Sequence, residues 1–142
     1  MSIIEEQLQA ILGMKTIAVI GLSPNPARTS HGVSHYMQHS GYTIIPVNPG
    51  HDEIMGLTAY ARLADIPGPV DIVNVFRRPE YTPEVATEAV AIGAQALWLQ
   101  LGIRNEEALR IAHDGGLLAV EDRCIKIEHW RLMGRGQIQT PE

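Results

Sequence analysis

Cysteine, long apolar runs, excess positive charge and a closely spaced glycine triplet are all missing or scarce in this sequence. Cys124 is the single cysteine, which excludes an internal disulfide and a cysteine-based metal cluster. No apolar stretch approaches the roughly 20 residues needed to span a bilayer. Residues Met1–Glu6 lack the basic start and apolar core of a signal peptide, so a cytoplasmic location with no membrane partner is expected. The formal net charge of -5 argues against broad binding to nucleic acid or anionic membrane. The expected partner is therefore a small molecule, with self-association or a separate protein partner left open.

What is present suffices for one domain spanning residues 1–142, since 45% hydrophobic content is ordinary for a core of that size. Ile4, Leu8, Ile11 and Leu12 recur at helical spacing until Gly13 breaks the pattern. Ile17–Ile20 is a continuous apolar run, as expected of a strand covered on both faces, and Gly21 follows where the backbone must turn. The segment His31–Ser40 is long enough for a crossover helix, with Ser30 as its expected N-cap and Val33, Tyr36 and Met37 on one face. Tyr42–Val47 is the second expected strand, ending in the turn Asn48-Pro49-Gly50-His51. Between Asp52 and Gly68 one short element is expected, around Thr58–Leu63. Val70–Phe76 then reads as a third strand, Thr82–Ile92 as a helix with Pro83 in its first turn, and Ala96–Leu101 as a fourth strand. A helix from Asn105 to Gly115-Gly116, a strand Leu117–Val120 and a short helix after Asp122 complete the chain. This alternation predicts an α/β fold, a Rossmann-like three-layer sandwich with a mainly parallel five-stranded sheet. Its ligand crevice should lie where the loops after the first, third and fourth strands converge.

The opening strand, loop and helix place backbone N–H groups where a phosphate can sit. The loop is not a standard dinucleotide fingerprint, because the glycine after Gly21 is Gly32, inside the expected helix. The second strand ends in neutral Asn48 and Pro49 rather than the carboxylate that usually holds the ribose of NAD. With Arg28, Arg77 and Arg78 near the expected loop ends, these absences favour a nucleotide carrying an extra phosphate, such as coenzyme A (CoA) or NADP.

Five short motifs then occur in order: Ala18–Ser23, Val47–Pro49, Val70–Arg77, Trp98–Gly102 and Asp122–Cys124. Together they resemble the small single-domain CoA-binding proteins, a family similar to the CoA-binding N-terminal domain of the succinyl-CoA synthetase alpha subunit. The resemblance implies CoA lying across the carboxyl ends of the strands, with its phosphates near Gly21, Leu22 and Ser23. It matches Asn48, Pro49 and His51 to the turn that approaches the adenosine, where the synthetase-like pattern has a lysine in place of His51. It further matches Val75, Phe76 and Arg77 to the nucleotide-contacting end of the third strand, and puts Gln100 nearer the pantetheine path. Arg28, as a charge partner, and Ser30, as a cap presenting N–H groups, join the site on physical grounds, as does Arg78. The phosphorylated histidine of the synthetase belongs to a second domain, so none of the six histidines here inherits that role.

No catalytic set is expected, and the chain is read as a non-catalytic binding, carrier or regulatory module for CoA or an acyl-CoA. The alternative is an NADP-dependent oxidoreductase or a thiol-dependent CoA-processing enzyme using Cys124, which sits after the fifth strand and is otherwise an inert core cysteine. His31, His35 and His39 share a helix face but have no cysteine or carboxylate nearby to complete a metal site, and read as a solvated stripe. Trp98 reads as core, Asp71 and Asn74 as satisfying neighbouring backbone or helix groups, and Glu121-Asp122 as a structural turn.

Overall fold

A computed structural model describes residues 2–134 of the chain. Five strands, β1 (Thr16–Ile20), β2 (Thr43–Val47), β5 (Ile72–Val75), β6 (Ala96–Leu99) and β7 (Leu118–Val120), form one sheet in the order β2-β1-β5-β6-β7. Every neighbouring pair is parallel, with Ile17 opposite both Ile44 and Ile72, and Asn74 opposite both Val19 and Trp98. β1 is first in the chain and interior in the sheet, because both of its flanks are filled by later strands. The order reverses there, so the loops after β1 and β5 diverge and open a crevice at their carboxyl ends.

Near-continuous apolar strands require cover on both faces, and five helices supply it. One face carries α1 (Ile3–Leu12), α2 (Thr29–His39) and α5 (Ile125–His129), whose Leu8, Ile11, Val33, Met37 and Ile125 pack on Ile17, Val19, Ile44, Ile72 and Trp98. The other carries α3 (Thr82–Ala91) and α4 (Glu106–Asp114), whose small residues Ala86, Ala89, Ala108 and Ala112 lie against Ala18, Val73, Val75, Leu97 and Leu99. Trp98 is fully buried and its indole N–H donates to the Arg123 carbonyl at 2.8 Å, so it is core.

The amino end of the sheet is closed by Asp71. Its Oδ2 accepts the Lys15 and Thr16 N–H groups at 3.0 and 2.9 Å, and its Oδ1 accepts Gln95 Nε2 at 2.7 Å. The Thr16 N–H, more than any other contact, holds its carboxyl below the ordinary carboxylate value, partly offset by burial. The expected strand Val70–Phe76 is accordingly shortened to Ile72–Val75, with Asp71 acting as a clamp just before it. Asn74 behaves differently: its Oδ1 is buried and has no hydrogen-bond partner among the described residues.

The region after β2 corrects the single element expected around Thr58–Leu63. It holds a two-residue hairpin, β3 (Glu53–Ile54) with β4 (Leu57–Thr58), and a separate 3₁₀ turn at Leu63–Asp65. Met55 and Gly56, both at positive φ, make the tight turn, and Ile54 and Leu63 plug the two different core layers. At the end of the described chain, α5 runs into a π-helical turn, Trp130–Gly134, pinned to α1 through Arg131, which bonds Glu128 at 2.6 Å and Glu5 at 2.8 Å. None of the described helices is long and apolar enough to cross a membrane.

Candidate functional site

The crevice begins at Gly21. Its N–H donates to the Val47 carbonyl at 2.9 Å and its φ is +85°. A Cβ there would stand 2.4 Å from the Phe76 carbonyl oxygen, so only glycine lets β1 turn this close to the end of β5. The loop that follows is braced by its own short side chains. Ser30 Oγ accepts the Ser23 N–H at 3.0 Å, Ser23 Oγ accepts the Asn25 N–H at 3.0 Å, and Asn25 Oδ1 accepts the Ala27 N–H at 2.9 Å.

This corrects the expected role of Ser30. The helix α2 starts at Thr29, its N-cap is Arg28 in an extended conformation, and Arg28 makes no side-chain cap. Ser30 lies inside the first turn, buried, and spends its hydroxyl on the loop instead. The N–H groups of Thr29 and Ser30 consequently have no acceptor among the described residues. They face a basin of about 630 Å³ lined by Gly21, Ser23, Ala27, Arg28, Thr29, Ser30 and Phe76. Arg28 is exposed at its rim, and no described carboxylate lies within ion-pair distance of it. Two free N–H groups at the positive end of an eleven-residue helix, beside a guanidinium, present donors that suit an anion.

Two further cavities adjoin this basin. One, of about 610 Å³, shares Gly21 with it and is walled by Asn48 and Pro49 just after β2, Ala61–Leu63, Arg77, and Glu84, Val85 and Glu88 of α3. The other, of about 400 Å³, shares Thr29 and Phe76 with the basin and is lined by Gln100, Leu101, Ile103, Cys124 and Ile127. The three form one trough along the carboxyl edge, passing from β2 over β1 and β5 to β6. Its middle is polar and its β6 end is mainly apolar.

The expected site residues divide between this trough and its support. Gly21, Ser23, Arg28, Ser30, Asn48, Pro49, Phe76, Arg77 and Gln100 line it. Leu22 is fully buried and reaches the site only through its carbonyl, which accepts Asn48 Nδ2 at 3.0 Å. Asn48 Oδ1 accepts the Gly50 N–H at 2.9 Å, so the Asn48 amide ties the first loop to the second and forms a wall. Val75 is buried beneath the floor. His51 and Arg78 are exposed and line none of the three cavities. Arg77 lies over the Tyr81 ring, 4.7 Å from its centroid, which holds the guanidinium at the mouth of the β2-side cavity.

Sequence reasoning missed Thr29, the Ala61–Leu63 wall, and the acidic pair Glu84 and Glu88. The last carried a signal, since four residues apart on a helix places them on one face. The Ala61–Leu63 wall carried none, because tertiary packing alone brings it beside β2. Glu121 and Asp122 prove to be the expected structural turn: Glu121 Oε1 accepts the Asn105 N–H at 2.8 Å and Asp122 Oδ1 accepts the Gly102 N–H at 2.7 Å. Of the histidine stripe, His35 and His39 stand with ring centroids 4.2 Å apart, and no group of three or more potential metal ligands occurs among the described residues.

Comparison with known proteins agrees with this geometry. The family model described as a CoA binding domain matches residues 15–130. The uncharacterized protein YneT of Bacillus subtilis is 51% identical over 115 residues, covering 81% of this chain and 85% of YneT. A solved hypothetical protein from Pyrococcus horikoshii OT3 superposes with a TM-score of 0.88 at 37% identity, covering 92% of each chain. The alpha subunit of the ADP-forming acetate–CoA ligase II of Pyrococcus furiosus is 27% identical over 122 residues, which span 78% of this chain and 27% of that subunit. With a family model over most of its length and a matching Rossmann-like sheet, this chain belongs to the CoA-binding domain family, related to the ligase alpha subunits.

Proposed function

We propose that this protein binds coenzyme A or an acyl-CoA across the carboxyl ends of its strands, as a non-catalytic binding, carrier or regulatory module. The observation that carries the reading is the three-part trough with donors that suit an anion at its centre. CoA has the same order: a phosphorylated adenosine, a pyrophosphate, and a long, largely uncharged pantetheine arm. In this reading the pyrophosphate takes the Thr29 and Ser30 N–H groups and Arg28. The adenosine occupies the β2-side cavity, where Arg77 and Arg62 offer charge to the ribose phosphate. Arg62 is available because its contact with Asp65 is long, 3.7 Å, and exposed. The pantetheine arm runs over Phe76 toward Gln100. Membership in the CoA-binding domain family supports the ligand class.

Calorimetry with CoA, 3′-dephospho-CoA and NADP tests this. Saturable CoA binding, weaker for the dephosphorylated form and similarly weakened by Arg77→Ala, is the expected result. Absence of saturable CoA binding overturns the reading, and equal affinity for both forms removes the arginine assignment.

A further inference from the structure

The β6-side cavity has one feature that reversible binding leaves unused. Cys124 is the chain's single cysteine, and it lies half-buried in the wall of this cavity among Leu101, Ile103 and Ile127. A thiol in an apolar wall would by itself signify nothing. Gln100, however, lines the same cavity and is 3% exposed. Its Oε1 is fixed by the Ile125 N–H at 2.9 Å, the residue next to Cys124, which sets the orientation of the amide. Gln100 Nε2 makes no hydrogen bond to the described residues, so this end of the amide stays available at the cavity wall. An amide donor in a cavity wall, with its carbonyl end already fixed, is available to an acceptor on a bound molecule. An amide-bearing chain entering from the shared Thr29 and Phe76 boundary would supply one and carry its terminal sulfur toward Cys124.

We propose that Cys124 captures CoA as a mixed disulfide by thiol–disulfide exchange with CoA disulfide. The proposal rests on the CoA-binding reading above and specifies the chemistry at the far end of that site. The Cys124 thiolate attacks one sulfur of the bound CoA disulfide. The old S–S bond breaks as the Cys124–CoA bond forms, and the second CoA leaves as a thiolate, taking up the proton that Cys124 gave to solvent. One disulfide replaces another, so no further oxidant is needed. The selectivity comes from proximity, the trough holding the disulfide beside the thiol at a high effective concentration. With no second cysteine in the sequence to resolve the adduct, release requires an external thiol.

The test incubates the full chain with CoA disulfide and reads intact mass over time, with glutathione disulfide at equal concentration as the reference. The expected result is a single CoA adduct on Cys124, at least about tenfold faster than the glutathione adduct, saturating with concentration. It should be slowed by excess desulfo-CoA and reversed by dithiothreitol. Cys124→Ser should give no adduct yet still show saturable CoA binding by calorimetry. Equal rates for the two disulfides, indifference to desulfo-CoA, or CoA binding without any adduct would each overturn the proposal while leaving the binding reading intact. Failure of Cys124→Ser and the parent chain alike to bind desulfo-CoA or CoA would overturn both.

Discussion

The two ends of the same sheet treat polar groups in opposite ways. At the amino end Asp71 accepts three donors from two different segments, and the Tyr42 hydroxyl donates to the Leu12 carbonyl deep enough that burial raises its pKa to about 12. At the carboxyl end the Thr29 and Ser30 N–H groups, the Arg28 guanidinium and Gln100 Nε2 face open space. Satisfied polar groups hold a fold together, whereas donors held open by a rigid frame are what a ligand can use. The contrast suits one end of the strands to stability and, in the proposed function, the other to recognition.

Substitutions at each end should separate these roles. The largest effect is expected for Gly21→Ala, which adds a Cβ against the Phe76 carbonyl at positive φ. It should cost about 3 kcal/mol in denaturant unfolding and also weaken CoA binding, since the loop and α2 must shift. Asp71→Ala comes next, with a loss of about 2 kcal/mol in stability and no change in CoA affinity of the folded protein. An affinity change there would break the division between the two ends. Arg28→Ala should do the reverse, weakening CoA about tenfold by calorimetry while leaving the melting temperature unchanged. The smallest effect concerns His129, which is buried and whose Nδ1 meets the Tyr36 hydroxyl at 2.8 Å. Burial lowers its pKa below the ordinary 6.5, so the unfolded chain binds more protons than the folded one. Stability from this group is complete above pH 6.5 and declines as the pH falls below it. Unfolding curves collected across that window should show the decline, and His129→Gln should flatten it.

The sheet was legible because its strands are short apolar runs bounded by Gly21, Gly41, Gly93 and Gly116, and parallel strands buried on both faces need no alternation. The hairpin Glu53–Thr58 was not, because its turn uses Met55-Gly56 where Asn-Gly or Asp-Gly would have announced it. Gly21, Ser23 and Arg28 were legible, from their place after the first strand, as residues that would line the crevice. Ser30 was found but its work was misassigned, since the sequence cannot say whether a hydroxyl serves the helix start or the loop beside it. Leu22 and Val75 lie in matched motifs, yet Leu22 packs into the core just after β1 and Val75 ends a strand covered on both faces, so both side chains are buried. The far walls of the trough depend on which segments pack beside β2 and β6, information that spacing along the chain does not carry.

Calorimetric titration of the purified chain with CoA, run in parallel on Arg28→Ala and Asp71→Ala, tests the division between the two ends most directly. One saturable CoA site, weakened about tenfold in Arg28→Ala and unchanged in Asp71→Ala, is the predicted result. No saturable heat with CoA, or a loss of affinity that follows Asp71 rather than Arg28, would contradict it.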